Sequence, residues 1–169
     1  MSKLIIFRGN SGSGKSTVAM RLQHEMGRET MLISQDVIRR DILRVADTPH
    51  NPAIRLIEDI ARYGKMIGYD VIVEGILGQE KYGDMLQQLS LLFEQTYAFY
   101  FDISFEETLR RHQHKKDKRH EFGEKEMKEW WREHDILNIP EEVLIPDSAT
   151  EDETLRLMAD AIYSKSHNI

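Results

Sequence analysis

Eight residues near the N-terminus constrain this chain more than any others. Gly9-Asn10-Ser11-Gly12-Ser13-Gly14-Lys15-Ser16 reads G-x-x-x-x-G-K-S without a mismatch. The apolar run Leu4-Ile5-Ile6-Phe7 stands before it, as expected for a strand buried on both faces. A helix is expected from near Lys15 to about Gly27, where the glycine supplies a stop. Strand, glycine loop and helix form the setting in which this spacing has a mechanism. Glycines let the backbone curl so that successive N–H groups point inward at phosphate oxygens. The helix N-terminus adds a positive dipole end. Lys15 can reach the β- and γ-phosphates, and the Ser16 hydroxyl can ligate Mg²⁺. Gly9 to Ser16, with Thr17 next along the helix, are therefore expected to bind a nucleoside triphosphate. The competing explanation, a Gly/Ser turn with a chance lysine, does not account for the strand and helix around it.

The rest of the chain continues the alternation of short apolar strands with amphipathic helices. Strands are expected at 30–34, 69–74, 96–101 and 143–145, and helices at 37–45, 53–67, 79–93 and 124–135. Ile57, Ile60, Ala61, Gly64 and Ile67 make one apolar face at helical spacing. Ser104-Phe105-Glu106-Glu107 and Thr150-Glu151-Asp152-Glu153 read as capping boxes that open two more helices. The last helix presents Leu155, Met158, Ala159 and Ile162 on its apolar face. Such a chain predicts a single α/β domain over residues 1–169, with a parallel sheet and helices on both faces. Ligands of these sheets bind beyond the carboxyl ends of the strands, so the residues that follow each strand carry the chemistry.

Ser34-Gln35-Asp36-Val37-Ile38-Arg39-Arg40 follows the second strand. A carboxylate at Asp36 can take a proton from an attacking hydroxyl and help orient Mg²⁺, or it can simply cap a helix. Arg39 lies one helical turn on and can hold an anionic group. Glu74-Gly75 ends the third strand, where an acid orders Mg²⁺ and its waters. Glu74 can equally bind substrate, and Gly75 admits a close backbone approach. Ser16, Asp36 and Glu74 are thus the expected metal ligands. Asp36, Arg39 and Glu74 are the expected acceptor side. The residues after the last strand, 147–150, are where a nucleotide base could rest.

Composition narrows the partners. The net charge is −6, from 23 basic and 29 acidic residues, which disfavours generic nucleic-acid binding. One island departs from this: residues 110–120 hold six Lys or Arg, three His and the single acid Asp117. Arg110, Arg111, Lys115, Lys116, Lys118 and Arg119 can close over a triphosphate as a lid, at about residues 112–125, and neutralise the transferred group. Arg111 is the leading candidate because it ends a capped helix. A solvated basic face and a nucleic-acid patch are the other readings. His112, His114 and His120 lack the partner set of a metal site. Trp130 and Trp131 read as one core residue and one edge cap, although either could line a substrate pocket. No apolar run approaches the roughly 20 residues of a membrane span. Met1-Ser2-Lys3 leads into only four apolar residues before Arg8, unlike a signal peptide. The chain has no cysteine, so neither disulfides nor thiolate metal sites are expected, and a cytoplasmic location is. Nothing in the sequence sets an oligomeric state.

These residues resemble a family. Gly9 to Ser16, Asp36-x-x-Arg39, Glu74 and the arginine segment after Ser104-Phe105-Glu106-Glu107 are similar to the small P-loop kinases related to adenylate kinase. That group includes the gluconate, shikimate, adenylylsulfate, chloramphenicol and zeta-toxin-like phosphotransferases. The resemblance covers most of the chain. It implies a three-layer α/β/α fold with a five-stranded parallel sheet in the order 2-3-1-4-5. It also implies ATP and Mg²⁺ as cofactors, Asp36 as base, Arg39 as substrate ligand and Arg111 as lid arginine. Where the family often places a second lid arginine, this chain reads His114-Lys115-Lys116. Polynucleotide 5′-hydroxyl kinases share the same aspartate–arginine spacing. The expected activity is transfer of the γ-phosphate of ATP to a hydroxyl of a small molecule, with Lys15, Asp36 and Arg111 as the catalytic set. A polynucleotide 5′ end is the alternative acceptor. A nucleotide switch without an acceptor is the third reading, but a switch needs no acceptor base. Acceptor specificity is expected in the side chains around Arg39, Arg40, Glu74 and residues 47–52.

Overall fold

The computed structural model describes residues 1–114, 122–138 and 141–164. The strands are β1 (Lys3–Gly9), β2 (Thr30–Ser34), β3 (Asp70–Gly75), β4 (Gln95–Asp102) and β5 (Glu142–Pro146). The α-helices are α1 (Lys15–Met26), α2 (Pro52–Met66), α3 (Gln79–Leu92), α4 (Phe105–Gln113), α5 (Glu124–Trp130) and α6 (Glu151–Ser164). All five strands pair in parallel, in the order β2-β3-β1-β4-β5. This is the expected order.

The apolar run of β1 is continuous because each of its sides faces a helical layer. Leu4 and Ile6 join Ala53, Ile57 and Ala61 of α2 and Leu86 and Leu89 of α3 in one core. Ile5 and Phe7 join Val18 and Leu22 of α1 and Leu155, Met158 and Ile162 of α6 in the other. Successive strand side chains point to opposite faces, so four consecutive apolar residues feed two cores. Each such buried side chain contributes roughly 1.5–3 kcal/mol relative to exposure. Edge strand β5 is different. Ile145 is buried, but Val143 and Leu144 are 41% and 45% exposed.

Several expected elements differ in extent or kind. The helix expected at 37–45 is a π-helical turn, Val37–Ile42. Helix α5 stops at Trp130 rather than near Asp135. Asn51 caps α2 by accepting from Ala53 N–H at 3.0 Å, so the helix starts at Pro52. Ile67 lies beyond its end and is 39% exposed. The capping box at Thr150 forms in both directions, at 2.8 and 3.2 Å. The one at Ser104 forms only in one direction, Glu107 N–H to Ser104 Oγ at 3.4 Å. Ser104 N–H donates instead to Asp147 Oδ1, and the Glu107 carboxylate accepts from Arg110 and Arg111.

Arg8, at the end of β1, is fully buried. Its Nε donates to Leu77 O at 2.9 Å. Its Nη1 donates to Asp135 O at 2.8 Å and to both oxygens of Glu142, at 2.9 and 3.1 Å. Its Nη2 meets Asp135 Oδ2 at 2.7 Å. Its guanidinium lies 5.6 Å from the Tyr100 ring centroid, and the Tyr100 hydroxyl accepts from Asp135 N–H at 3.1 Å. Burial pushes the Glu142 carboxyl up, and Arg8 opposes that shift. The arginine thus joins β1, the turn after β3 and the chain entering β5.

Replacing one member of such a pair leaves a buried charge uncompensated. Arg8→Met should cost about 3–5 kcal/mol in chemical denaturation at neutral pH. Without Arg8 the folded state holds the Glu142 proton above the carboxyl's ordinary pKa of 4.5, after the unfolded chain has released it. The deficit should therefore widen as pH rises from 4.5 towards 7, by linkage. Arg8→Met/Glu142→Leu should recover much of the loss. A deficit independent of pH would contradict this account.

Candidate active site

The sheet register brings the functional segments to one edge. Ser34 of β2 and Phe7 of β1 both stand opposite Glu74 of β3. The chain leaving β1 therefore enters the glycine loop beside Glu74, and the chain leaving β2 enters Gln35-Asp36 next to it. Gln35 is buried, and its Oε1 accepts from Leu77 N–H at 3.0 Å. Its side chain fills the space that a Cβ on Gly75 would need. The close approach at Gly75 is thus made by the Gln35 side chain rather than by a backbone.

The glycine loop has little room for side chains. Gly12 has φ +79°, and a Cβ there would lie 2.7 Å from the carbonyl oxygen of Thr108 in α4. Gly14 has φ +93° at the N-cap of α1, where left-handed backbone turns the chain into the helix. Lys15 is buried and donates to Asn10 O at 3.0 Å, so its ammonium folds over the loop. Asn10 reaches away from the loop. Its amide donates to Arg132 O at 2.6 Å and accepts from Arg132 N–H at 2.9 Å. Ser13 Oγ is buried without a hydrogen-bond partner.

Ser16 Oγ donates to Glu74 Oε2 at 2.9 Å. This contact joins the first turn of α1 to the end of β3 and brings two of the expected metal ligands together. Asp36 has its own partners. Its side chain is 55% exposed, and its Oδ1 meets Arg40 Nε at 3.2 Å and Arg39 Nη2 at 3.5 Å. It makes no capping hydrogen bond, because its own backbone is already helical. Arg39 also donates through Nη1 to Val45 O at 3.1 Å. Oxygen donors at a strand end fit Mg²⁺, which takes one or two carboxylates and completes its shell with phosphates and waters. Among the described residues no cluster of three or more His, Cys, Asp or Glu forms a metal cage.

Arg111 is seated on the loop itself. Its Nη1 donates to Ser13 O at 2.8 Å, its Nη2 to Asp147 O at 3.3 Å and its Nε to Glu107 Oε1 at 2.7 Å. It joins the glycine loop to residues 147–150, the expected neighbourhood of the base. Arg110 and Arg111, in that order of effect, hold the Glu107 carboxyl far below its ordinary range, at about 2. Residues 115–121 lie outside the described residues, and with them Lys115, Lys116, Lys118, Arg119, His120 and the centre of the expected lid at 112–125.

Sequence reasoning missed several contributors. Neither Trp130 nor Trp131 enters the core. Met127 of α5 does, at 2% exposure, beneath Gly12. Trp131 meets Phe105 edge-to-face at 5.2 Å, and Trp130 meets Phe122 edge-to-face at 5.1 Å. Loop 47–52 is pinned to α3, because Tyr82 Oη donates to Asp47 Oδ1 at 2.7 Å and Lys81 Nζ to Asp47 Oδ2 at 2.9 Å. Burial pushes the Tyr82 hydroxyl up to about 12, so it remains a donor. The acid–tyrosine–lysine spacing could have hinted at this cluster, but only the packing of the loop on α3 brings it together.

A family model for the AAA domain matches residues 4–136. The chain belongs to the AAA domain family. No curated protein matches it by sequence. Among solved structures, the gluconokinase from Sinorhizobium meliloti 1021 is 18% identical, with 98% of each chain covered and a TM-score of 0.68. The APS kinase CysC of Mycobacterium tuberculosis, solved in complex with AMPPNP and APS, is 18% identical over 95% of this chain and 97% of that one, with a TM-score of 0.66. Shikimate kinase from Aquifex aeolicus vf5 is 16% identical over 98% and 99%, with a TM-score of 0.60. At these identities the likeness is one of fold, and the fold is that of the small P-loop kinases that the sequence resembles.

Two outcomes test the geometry. Gly12→Ala forces a side chain against Thr108 O in left-handed backbone, a strain of about 1–3 kcal/mol. Nucleotide binding should weaken roughly tenfold to a hundredfold by titration calorimetry with ATP; unchanged affinity would show that the loop does not grip the nucleotide. A carboxyl held low contributes above its ordinary pKa and loses that contribution only as pH falls through its folded value. A carbon-detected NMR titration should therefore find the Glu107 midpoint near 2, whereas a midpoint near 4.5 would mean the arginine pairs are absent.

Proposed function

We propose that this chain is an ATP- and Mg²⁺-dependent kinase, a single domain over residues 1–169, which transfers the γ-phosphate to a hydroxyl of a small-molecule acceptor. The contact between Ser16 and Glu74, at 2.9 Å beside the glycine loop, carries this reading. It sets a hydroxyl and a carboxylate side by side where a metal-bound triphosphate needs oxygen donors. The kinase fold shared with gluconokinase, APS kinase and shikimate kinase supports it. Among the described residues no helix is long and apolar enough to cross a membrane. The proposed setting is the cytoplasm.

In this reading the N–H groups of residues 9–17 and the Lys15 ammonium hold the phosphates. Ser16 and Glu74, with Asp36 nearby, would hold Mg²⁺, which when bound neutralises charge on the phosphate oxygens. Arg39 and Arg40 supply positive charge on the acceptor side. Asp36 takes the proton of the acceptor hydroxyl as its oxygen bonds to the γ-phosphorus. The bond from that phosphorus to the β–γ bridging oxygen breaks, and ADP leaves. Arg111, already on the loop, and the cations of the lid at 112–125 stabilise charge on the transferred group.

General-base catalysis is worth about 10²–10⁴-fold. Asp36→Asn should lower turnover by that order while ATP affinity holds within about twofold. The acceptor can be found by an ATP-consumption screen over sugars, nucleosides, antibiotics and 5′-hydroxyl oligonucleotides. Full turnover of Asp36→Asn on the acceptor so found would remove Asp36 from the mechanism. Preferential turnover of the oligonucleotides would move the acceptor from small molecule to nucleic acid.

A further inference from the structure

The spacing Asp36-x-x-Arg39 assumes an α-helix, but the turn after β2 becomes π-helical from Val37. Leu43 N–H donates to Ile38 O at 3.0 Å, five residues back, as in a π turn. A π turn holds more residues than an α turn and is frequent at functional sites. The fourth side chain along accordingly comes closer to Asp36 than the third, although both reach it. Arg40 Nε approaches Asp36 Oδ1 to 3.2 Å, whereas Arg39 Nη2 is 3.5 Å from the same oxygen. Arg39 is also turned towards Val45 O, with its Nε buried and without a hydrogen-bond partner.

Arg40 has a second set of contacts. Its Cζ lies 5.3 Å from the Trp130 ring centroid and 5.6 Å from that of Phe122. Both distances fall within the roughly 6 Å over which a guanidinium is attracted to a ring face. Phe122 also stacks on His112 at 4.6 Å and 22°, and His112 Nε2 lies 2.9 Å from Phe122 O. His112 belongs to α4 and Trp130 to α5, so Arg40 touches the packing that joins the two helices. One side chain therefore meets both the carboxylate that follows β2 and the aromatic pair Phe122 and Trp130.

We propose that Arg40 is the acceptor-side positioning residue: it orients the Asp36 carboxylate and couples it to the seating of Phe122 and Trp130. The proposal rests on the reading of Asp36 as the base and changes which arginine serves it. The role needs a planar guanidinium, which can stack on rings and donate in its own plane at once. Lysine supplies the charge but not that geometry.

The test uses Trp131→Phe, which leaves Trp130 as the reporter in a chain with two tryptophans. Arg40→Met, Arg40→Lys and Arg39→Met are made in that background, and circular dichroism checks that each folds. Arg40→Met should change Trp130 emission and its quenching by acrylamide, whereas Arg39→Met should leave both at the parent value. On the acceptor found by the screen, Arg40→Met should lower kcat roughly tenfold to a hundredfold, the scale of a misplaced catalytic group, with the KM for ATP within about twofold. Arg40→Lys should recover part of kcat but not the Trp130 signal. Parent emission in Arg40→Met, or an equal change in Arg39→Met, would overturn the proposal. If no acceptor is phosphorylated by the parent chain, the kinase reading fails, and the emission comparison still decides whether Arg40 seats the aromatic pair.

Discussion

A guanidinium buried in a protein interior has to be surrounded by acceptors, and Arg8 imposes that requirement on the whole carboxyl edge of the sheet. It directly precedes the glycine loop. Its partners are Leu77 O from the turn after β3, Asp135 from the segment after α5, and Glu142 at the start of β5. Each is held because an unpaired buried charge is far more costly than the ordering of a loop. Glu142 also accepts from Leu137 N–H at 2.6 Å, and Asp135 Oδ2 from Gln79 N–H at 2.9 Å. The chain leading into the glycine loop therefore rests on a connected polar network at the end of the core that holds Leu77 and Leu137.

The parallel sheet does the assembling. Because β1, β2 and β3 run the same way in register, their following loops emerge side by side. Gln35, Asp36, Glu74 and the glycine loop become neighbours although up to 65 residues separate them in sequence. Ser16 closes the gap to Glu74. Arg111, carried by α4 on the far side of the loop, closes the other flank. Both flanks carry paired charges: Asp36 with Arg39 and Arg40 on the β2–β3 side, and Arg111 with Glu107 on the β4–β5 side.

Much of this was legible in the residues, and the failures have specific causes. The bounds of β2 follow from its apolar run, and the Thr150 capping box forms as its spacing implies. The Ser104 box forms by half because tertiary partners compete for both ends: Asp147 for the N–H, and Arg110 and Arg111 for the carboxylate. The π turn at Val37–Ile42 left no mark in the pattern, because a hydrogen-bond register shifted by one residue does not alter which residues are apolar. Nothing near Arg8 in the sequence marks it for burial, because its acids lie 127 and 134 residues away.

By itself the sequence determined the glycine loop, the alternation of strands and helices and the acids at the strand ends, while the strand order came only with the family resemblance. The first three depend on local spacing and on side-chain periodicity, which are written in consecutive residues. The tertiary structure decided which groups meet: that Glu74 pairs with Ser16, that Gln35 fills the space at Gly75, that Arg111 lies on the loop, and that Arg40 as well as Arg39 reaches Asp36, with Arg40 the closer. Those outcomes depend on hydrogen-bond register and on competition among partners far apart in the chain. Only the folded packing sets both.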